Sequence, residues 1–372
     1  MPMTRSALRP RVAATAGYTL VELILAVGLM TVIMAATLGG LSDAGKANES
    51  ALNLTGMNTS IRAGMDLLVR DMLQVGSGLP PGHVIQVPSG VGSTGVRIPG
   101  PPGTAFTLPM GDLDIGAVVP SPGLGHSVNG TATDVVTTIS ADNTFLDIPL
   151  TAMTATTVDV AAGPNIGAGP DRVTPGQLMM VSKGSVTTLL QVTDVNVGAR
   201  RLTFTNGDSL NLNQSGAVAG NLAAVDAADP PATPSAARIS RIRMVTYYLD
   251  ATTDPAHPRL MRRINNGDPM TFSNQYGNAV AIDIENLQFT FDLVDGNTNP
   301  ANVRMTADDR AGIGRCAPNP CNETQIRKVN IALTGRSQNA VNRSKRAYRN
   351  TLSSQVSFRG MAFVDEYRSP AP

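Results

Sequence analysis

The chain has 372 residues, of which 42% are hydrophobic, 15% charged and 4% aromatic, and its formal net charge is +1. This length is enough for one large or two small domains, and the many glycines and prolines favour β-structure and turns over helix. The balanced charge argues against a protein that binds nucleic acid over its whole surface, and the composition is more typical of an exported, assembled subunit than of a cytosolic enzyme.

The first predicted element is an apolar helix near the N-terminus, AATAGYTLVELILAVGLMTVIMAATLGGL at 13–41. Residues 23–41 carry no charge, and as a helix they cover about 28 Å, close to the hydrocarbon thickness of a bilayer. The segment before Glu22 has no acidic residue and carries three arginines, Arg5, Arg9 and Arg11. This asymmetry predicts a single-pass helix with its N-terminus in the cytoplasm and the rest of the chain across the membrane.

Small residues precede the apolar run, whereas an ordinary secretory signal has its small-residue cleavage site after the run. A cut between Gly17 and Tyr18 leaves the apolar helix as the new N-terminus. Glu22 is the one carboxylate at the start of this helix. Such a group costs about 3 kcal/mol at the centre of a bilayer and is usually kept for a partner. The alternative is an interfacial glutamate at the edge of a plain membrane anchor.

The stretch Gly17-Tyr18-Thr19-Leu20-Val21-Glu22-Leu23 resembles the prepilin-type cleavage and methylation motif of type IV prepilins and pseudopilins, with tyrosine where phenylalanine is usual. The resemblance implies that a prepilin peptidase removes the leader, residues 1–17, on the cytoplasmic side and methylates the new amino group of Tyr18. It also implies that Glu22 pairs with the N-terminal ammonium of a neighbouring subunit when the helices bundle into a filament.

The helix is predicted to continue beyond the membrane as one element over 18–76, with 18–41 as its transmembrane part. Apolar residues recur at steps of three or four and form one stripe, at Leu54, Met57, Ile61, Met65, Leu68, Met72 and Val75. Gly76 and Gly78 then provide stop signals. We predict a local bend or melted turn at Gly39-Gly40, because each glycine costs about 1 kcal/mol in a helix interior.

The end of this helix, MDLLVRDMLQVGSGLP at 65–80, resembles particular groups within the pilins and pseudopilins. Leu67-Leu68 followed by Arg70-Asp71 and a small-residue exit is similar to the PilW group of minor pilins, and also to the J-type minor pseudopilins of type II secretion. The alternative interpretation is that residues 65–80 are only the amphipathic end of a helix.

Residues 77–235 are predicted to be an insertion of weak strands and loops, rich in Gly, Pro and Thr. Two better strands, at 178–182 and 186–193, are joined by Lys183-Gly184-Ser185 as a hairpin, and 200–208 is a further strand with a turn. An Ala- and Pro-rich linker is predicted at 223–237.

Residues 236–372 are predicted to form an antiparallel sheet with one buried face, which the apolar stripe of the helix covers. Alternating segments lie at 241–249, 259–264, 280–294, 327–336 and 353–363. In the third segment Leu287, Phe289 and Phe291 share one face, and Val329, Ile331 and Leu333 repeat the pattern in the fourth. The predicted class is therefore α+β. The order of these strands also resembles the heads of PilW and J-type subunits, which implies a type IV pilin-like fold.

Catalytic motifs are not evident, so we predict that the protein is not an enzyme and needs no cofactor. The three histidines, His83, His126 and His257, lie scattered in Pro- or Gly-containing loops without a paired ligand spacing. Residues 90–95, GVGSTG, match GxGxxG, but the prolines at 99, 101 and 102 forbid the helix that a dinucleotide site needs.

Three features indicate binding or cross-linking instead. Cys316 and Cys321 are the only cysteines, and in an exported domain a disulfide is favoured over half of a metal site. Residues 292–309 contain a weak calcium candidate, with ligands Asp295, Asn297 and Asn299 but with Pro300 where such a loop needs glycine. A basic run contains a candidate loop for DNA or subunit contact, at Arg343, Lys345, Arg346 and Arg349.

The resemblance implies a minor pilin that assembles through its N-terminal helix into a membrane priming complex and the tip of a type IV pilus. The implied partners are other minor pilins, the major pilin, the prepilin peptidase, the inner-membrane assembly platform and membrane lipid, with the head in the periplasm of a bacterium. Two alternatives stay open: a J-type minor pseudopilin of a type II secretion system, and a pilus-tip adhesin or DNA-binding subunit.

Overall fold

The computed structural model describes residues 17–79, 84–100, 114–167, 169, 171–228, 236–252, 254–265, 278–294, 300–338 and 347–361. Over these residues the chain forms one long N-terminal helix followed by a head built almost entirely of strands. The α+β class is confirmed.

The helix α1 spans Leu20–Met72 without interruption. Thr19 is its N-cap, and the chain leaves the helix through Leu73 into turns that contain Gly76 and Gly78, both at positive φ. Of the two forms predicted at Gly39-Gly40, the melted turn is absent and that part of the prediction was wrong, whereas the local bend stays a prediction. Two glycine penalties of about 1 kcal/mol each do not outweigh the hydrogen bonds and cooperativity of a helix that continues for many residues on both sides.

The head contains eighteen described strands and two further short helices. The first group of strands is β1 (Val84–Gln86), β2 (Asp114–Gly116), β3 (Val118–Ser121), β4 (Ser127–Val128), β5 (Thr131–Ala132), β6 (Val135–Ala141), β7 (Ile148–Met153), β8 (Thr157–Val160), β9 (Leu178–Lys183), β10 (Val186–Gln191), β11 (Asp194–Asn196) and β12 (Arg201–Thr203). The remaining elements are α2 (Leu222–Asp226), β13 (Arg238–Asp250), β14 (Arg259–Ile264), β15 (Asn278–Ile282), β16 (Ile284–Leu293), α3 (Ala307–Arg310), β17 (Ile326–Arg336) and β18 (Arg349–Ser357).

The hairpin predicted at Gly184 is confirmed. Strands β9 and β10 pair antiparallel with Val186 opposite Lys183, so the turn consists of Gly184 and Ser185. Gly184 has a φ of 59°, a left-handed value that glycine adopts without steric cost.

Thirteen of the described strands belong to one large sheet, and β13 is its central member. This strand pairs antiparallel with β6, β7 and β9 from the predicted insertion and with β14 from the C-terminal part. The predicted regions 77–235 and 236–372 therefore share one sheet. Part of the predicted linker, 223–237, is helical, because α2 occupies Leu222–Asp226.

The C-terminal strands do not form the one sheet that the sequence predicted. The predicted strand 280–294 is divided at Asp283, which has a left-handed φ of 59°. Strand β15, before this residue, pairs with β14 in the large sheet, whereas β16, after it, pairs with β17 in a separate three-stranded sheet β16–β17–β18. A single left-handed residue re-aims the strand and ends its pairing with the first sheet.

The apolar stripe of α1 packs against the three-stranded sheet and the adjoining part of the large sheet, as predicted. Six of the seven stripe residues, from Met57 to Val75, are buried, and Leu54 is partly buried. They share one core with the inward residues of β16 and β17, including Leu287, Phe289, Phe291, Val329, Ile331 and Leu333. The predicted faces of both strands are thus confirmed. A further core lies among β7–β12, α2 and Ile239 of β13.

Candidate functional site

The start of α1 is closed by reciprocal hydrogen bonds between Thr19 and Glu22. The Glu22 amide donates to Thr19 Oγ1 at 3.3 Å, while Glu22 Oε2 accepts from the Thr19 amide at 2.9 Å and from its hydroxyl at 3.0 Å. This capping box satisfies two amides that have no partner within the helix. The negative charge of Glu22 also lies at the positive end of the helix dipole, where it is stabilising.

Only one carboxylate oxygen of Glu22 is used in this cap. Among the described residues, no group donates a hydrogen bond to Glu22 Oε1, and the side chain is exposed. Gly17 and Tyr18 lie next to it, and Tyr18 is 88% exposed. The structure therefore has a carboxylate of fixed position beside the predicted cleavage point, with one oxygen open to a cation from outside the chain.

The first half of α1 is exposed throughout, so it is not covered by any described part of the head. Large apolar side chains are exposed along it, including Leu23, Leu25, Leu29, Ile33, Leu38 and Leu41. Its most apolar window has a mean hydropathy of 2.3 and none of it is buried. Water would penalise so much exposed apolar surface, so the segment fits a bilayer or a bundle of helices. By length and composition α1 can span a membrane as a single N-terminal anchor.

The second half of α1 is fastened to the head by a buried carboxylate, Asp71. Arg262 of β14 donates to it from Nε at 2.6 Å and from Nη2 at 3.1 Å, and the Tyr247 hydroxyl of β13 donates to Asp71 Oδ2 at 2.6 Å. Burial raises the pKa of the Tyr247 hydroxyl far above its ordinary value, and the negative charge of Asp71 raises it further. The phenol therefore remains a hydrogen-bond donor across the physiological pH range.

Asp71 belongs to the Arg70-Asp71 pair at the end of the helix, but its role was not predicted from the sequence. The signal was present in the sequence, because Asp71 follows Leu68 by three residues and so lies on the buried stripe rather than on the solvent side. A charged residue at such a position needs a buried partner. The identity of the partners could not be read from the sequence, since Tyr247 and Arg262 are far away along the chain.

Arg349, from the predicted basic loop, is engaged within the head. It donates to Glu285 of β16 from Nε at 2.5 Å and from Nη2 at 3.1 Å, and Arg336 of β17 donates to the same carboxylate at 3.3 Å. Burial alone would raise the pKa of Glu285, but the two guanidinium groups outweigh it and hold this pKa below its ordinary value. The other residues of this candidate, Arg343, Lys345 and Arg346, lie outside the described residues, as do the calcium candidates Asp295, Asn297 and Asn299.

Cys316 and Cys321 form the predicted disulfide, and both side chains are buried against the core that α1 shares with the head. Arg310 extends this anchorage, because its guanidinium donates to Glu323 at 2.6 Å and to the Pro120 carbonyl of β3 at 3.3 Å. The loop after α3 is thereby bonded to β3 of the large sheet.

The remaining sequence motifs are the three histidines and the GxGxxG match. His126 and His257 each lie beside a carboxylate: His126 Nδ1 is 3.9 Å from Asp250, and His257 Nδ1 is 2.6 Å from Asp283. His83 lies outside the described residues. The GxGxxG match is a turn in which Gly90 and Gly92 have positive φ. Within the described part of the chain, no group of three or more His, Cys, Asp or Glu side chains could hold a metal ion.

Comparisons of this chain with protein-family models, with curated proteins and with solved structures find no match.

Proposed function

We propose that this protein is a minor pilin of the PilW type. It is inserted in the bacterial inner membrane by α1, is cut after Gly17 by a prepilin peptidase and methylated on Tyr18, and assembles with other minor pilins and the major pilin on the inner-membrane platform. The β-rich head lies in the periplasm. The complex primes the filament, and this subunit is carried at the pilus tip.

The observation on which this proposal rests is that Glu22 has one carboxylate oxygen without a hydrogen-bond donor among the described residues. Glu22 lies four residues along the chain from Tyr18, whose amino group cleavage after Gly17 would create, and the capping box orients its carboxylate at this end of the helix. An ammonium carried by a neighbouring helix can reach the open oxygen of Glu22 when two helices lie side by side. Because this pairing occurs in a medium of low dielectric constant, it favours correct register between neighbours far more than it would in water.

The division of α1 into two halves supports the same proposal. The apolar half, which no described part of the head covers, is free to pack among sibling helices, while the other half is rigidly attached to the head through the core and Asp71. The way in which α1 packs among sibling helices in the membrane therefore also determines where the head lies.

The test compares native membranes containing the wild-type chain with membranes containing Glu22→Ala, Glu22→Gln and, as a matched control, Glu49→Ala. Glu49 is an exposed carboxylate on the same helix, beyond the apolar segment. We expect all variants to enter the membrane and to have Tyr18 as their N-terminus by mass spectrometry. Glu22→Ala and Glu22→Gln should lose the sibling subunits in pull-downs, and Glu49→Ala should keep them.

A wild-type chain that still begins at Met1 would contradict the proposal, as would retention of the same siblings by Glu22→Ala. The siblings themselves decide between two assemblies: pilins indicate a type IV pilus, whereas pseudopilins would overturn the PilW assignment in favour of a J-type subunit of type II secretion.

A further inference from the structure

Among the described residues, no strand pairs with the outer edge of the three-stranded sheet, which β18 forms. Ser337 donates to the Tyr348 carbonyl at 2.8 Å and Phe358 donates to the Arg327 carbonyl at 2.9 Å, so the even-numbered residues face β17. Antiparallel strands alternate bonded and non-bonded residues. The backbone N–H and C=O groups of the odd-numbered residues therefore point away from the sheet; these residues are Thr351, Ser353, Gln355 and Ser357.

These outward backbone groups have no partner among the described residues. All four residues are exposed, and they recur every second position, about 6.6 Å apart at the usual rise of a strand. The opposite edge of the sheet is covered: Asp134 accepts from the Phe289 amide at 2.8 Å, and Val303 accepts from the Phe291 amide at 2.8 Å. Only the β18 side of this sheet presents an unpaired row over the described part of the chain.

Strand β18 also lacks the features that normally prevent a sheet edge from pairing with another strand. Residues 350–357 contain no proline and no charged side chain, and the register with β17 has no bulge. An uncharged edge of this kind favours an added strand that has no charged residues at the positions that pair with β18. Leu352 of β18 is only partly buried against the shared core, so apolar residues at alternate positions of an added strand would bury it further.

We infer that the β18 edge is the docking site for an extended strand of a different subunit, which adds to the sheet and has apolar residues at alternate positions. Backbone hydrogen bonds provide the affinity, and the apolar positions facing Leu352 provide the register. This inference rests on the proposed function, because it takes the neighbour to be a sibling held beside α1 in the same membrane.

A second copy of this chain is disfavoured as the occupant by the direction of β18. Asn350 donates to Asn58 at 2.8 Å near one end of the strand, and Gly360 lies against Val75 just beyond the other, so β18 runs in the same direction as α1. Antiparallel pairing of two β18 edges would point the two α1 helices in opposite directions, which a common membrane anchor does not permit.

The first test uses the purified full chain in detergent and a capped synthetic peptide with the sequence IRKVNIALTGR. This sequence, that of β17, alternates apolar residues and has its charges near its ends. We expect the peptide to slow hydrogen exchange at the amides of Thr351, Ser353 and Gln355, whereas a scrambled peptide has no effect. Ser353→Pro removes an outward amide without removing a bond to β17, and it should weaken binding about tenfold or more, while Ser353→Thr should bind like wild type.

Unchanged exchange at these three amides with saturating peptide would overturn the inference. Protection that appears in the pure chain on concentration alone would identify a second copy as the occupant and would overturn it as well. Retained slow exchange at Leu352 and Val356 shows that Ser353→Pro is folded; if it is not, Gln355→Lys provides the same block through an edge charge.

The second test repeats the exchange measurement on the chain assembled with its siblings in native membranes. We expect the outward amides to be protected in the wild type and exposed in Ser353→Pro. If Glu22→Ala disperses the siblings and the outward amides of the assembled wild type still exchange freely, the edge inference fails and the proposed function stands. If the chain is not cut after Gly17 yet the edge binds the peptide, the proposed function fails and the edge remains a docking site for another strand.

Discussion

Asp71 is a buried carboxylate through which the helix α1 is bonded to the head. Its carboxylate is 7% exposed and accepts from both Arg262 and Tyr247, so its removal leaves a buried guanidinium without a counter-charge. We expect Asp71→Ala to lower the free energy of unfolding by about 3–5 kcal/mol. Denaturant unfolding of the full chain in detergent, followed by tyrosine fluorescence, measures this loss.

The matched control is Asp66→Ala, which removes an exposed carboxylate one and a half turns earlier on the same helix. We expect it to change stability by no more than about 0.5 kcal/mol. Equal effects of the two substitutions would mean that the Asp71 cluster contributes no more than an ordinary surface charge.

Glu285 gives the head a predictable response to acid. Because its folded pKa lies below the ordinary value of 4.5, its contribution is fully present above that value and is lost as the pH falls through the folded pKa. We expect Glu285→Gln to lower stability at pH 7 by about 1–3 kcal/mol and to make the loss of stability below pH 4.5 shallower than in the wild type. Thermal unfolding between pH 7 and pH 3 tests this; parallel curves for the two proteins would contradict it.

At the scale of elements, the contact between α1 and the sheets depends on a glycine. A Cβ at Gly64 would lie 3.0 Å from both Ala281 Cβ and Leu260 Cδ2, whereas a Cβ at Gly56 would meet nothing within 4 Å. The absence of a side chain at Gly64 therefore lets the helix backbone approach β14 and β15 closely.

We expect Gly64→Leu to destabilise the head by about 1–3 kcal/mol through overpacking. The same change at Gly56, Gly56→Leu, should be neutral or stabilising by up to about 1 kcal/mol, because leucine is the better helix former and the site is open. Thermal melts of both variants provide the comparison, and a Gly64→Leu protein as stable as Gly56→Leu would show that the interface is not close-packed.

For the whole molecule, the decisive feature is that β13 joins the predicted insertion to the C-terminal part. A strand paired with β6, β7, β9 and β14 cannot leave one partner without disturbing the others. The two cores on either side are therefore coupled through one backbone segment.

We expect the head to unfold in a single transition. Native-state hydrogen exchange in low denaturant should give opening free energies within about 1 kcal/mol of each other for Leu190 in β10 and Ile331 in β17, since both open only when β13 is lost. Two well-separated transitions would show instead that the core among β7–β12 is stable by itself.

The sequence by itself determined those features that depend on neighbouring residues. The helical stripe from Leu54 to Val75, the alternating faces of β16 and β17 and the turn at Gly184 all follow from periodicity or turn chemistry, and the structure has each of them. The anchor character of the first half of α1 and the pairing of the two cysteines were also readable, because composition and the absence of other cysteines left few alternatives.

Only the tertiary structure decided how these pieces meet. The sharing of β13, the division of a predicted strand at Asp283, the partners of Asp71 and the open edge of β18 all depend on pairings between residues far apart in the chain. A local pattern fixes which face of a strand is apolar but does not fix the strand beside it, because many registers bury the same residues. The choice among them is made by the packing of the whole head.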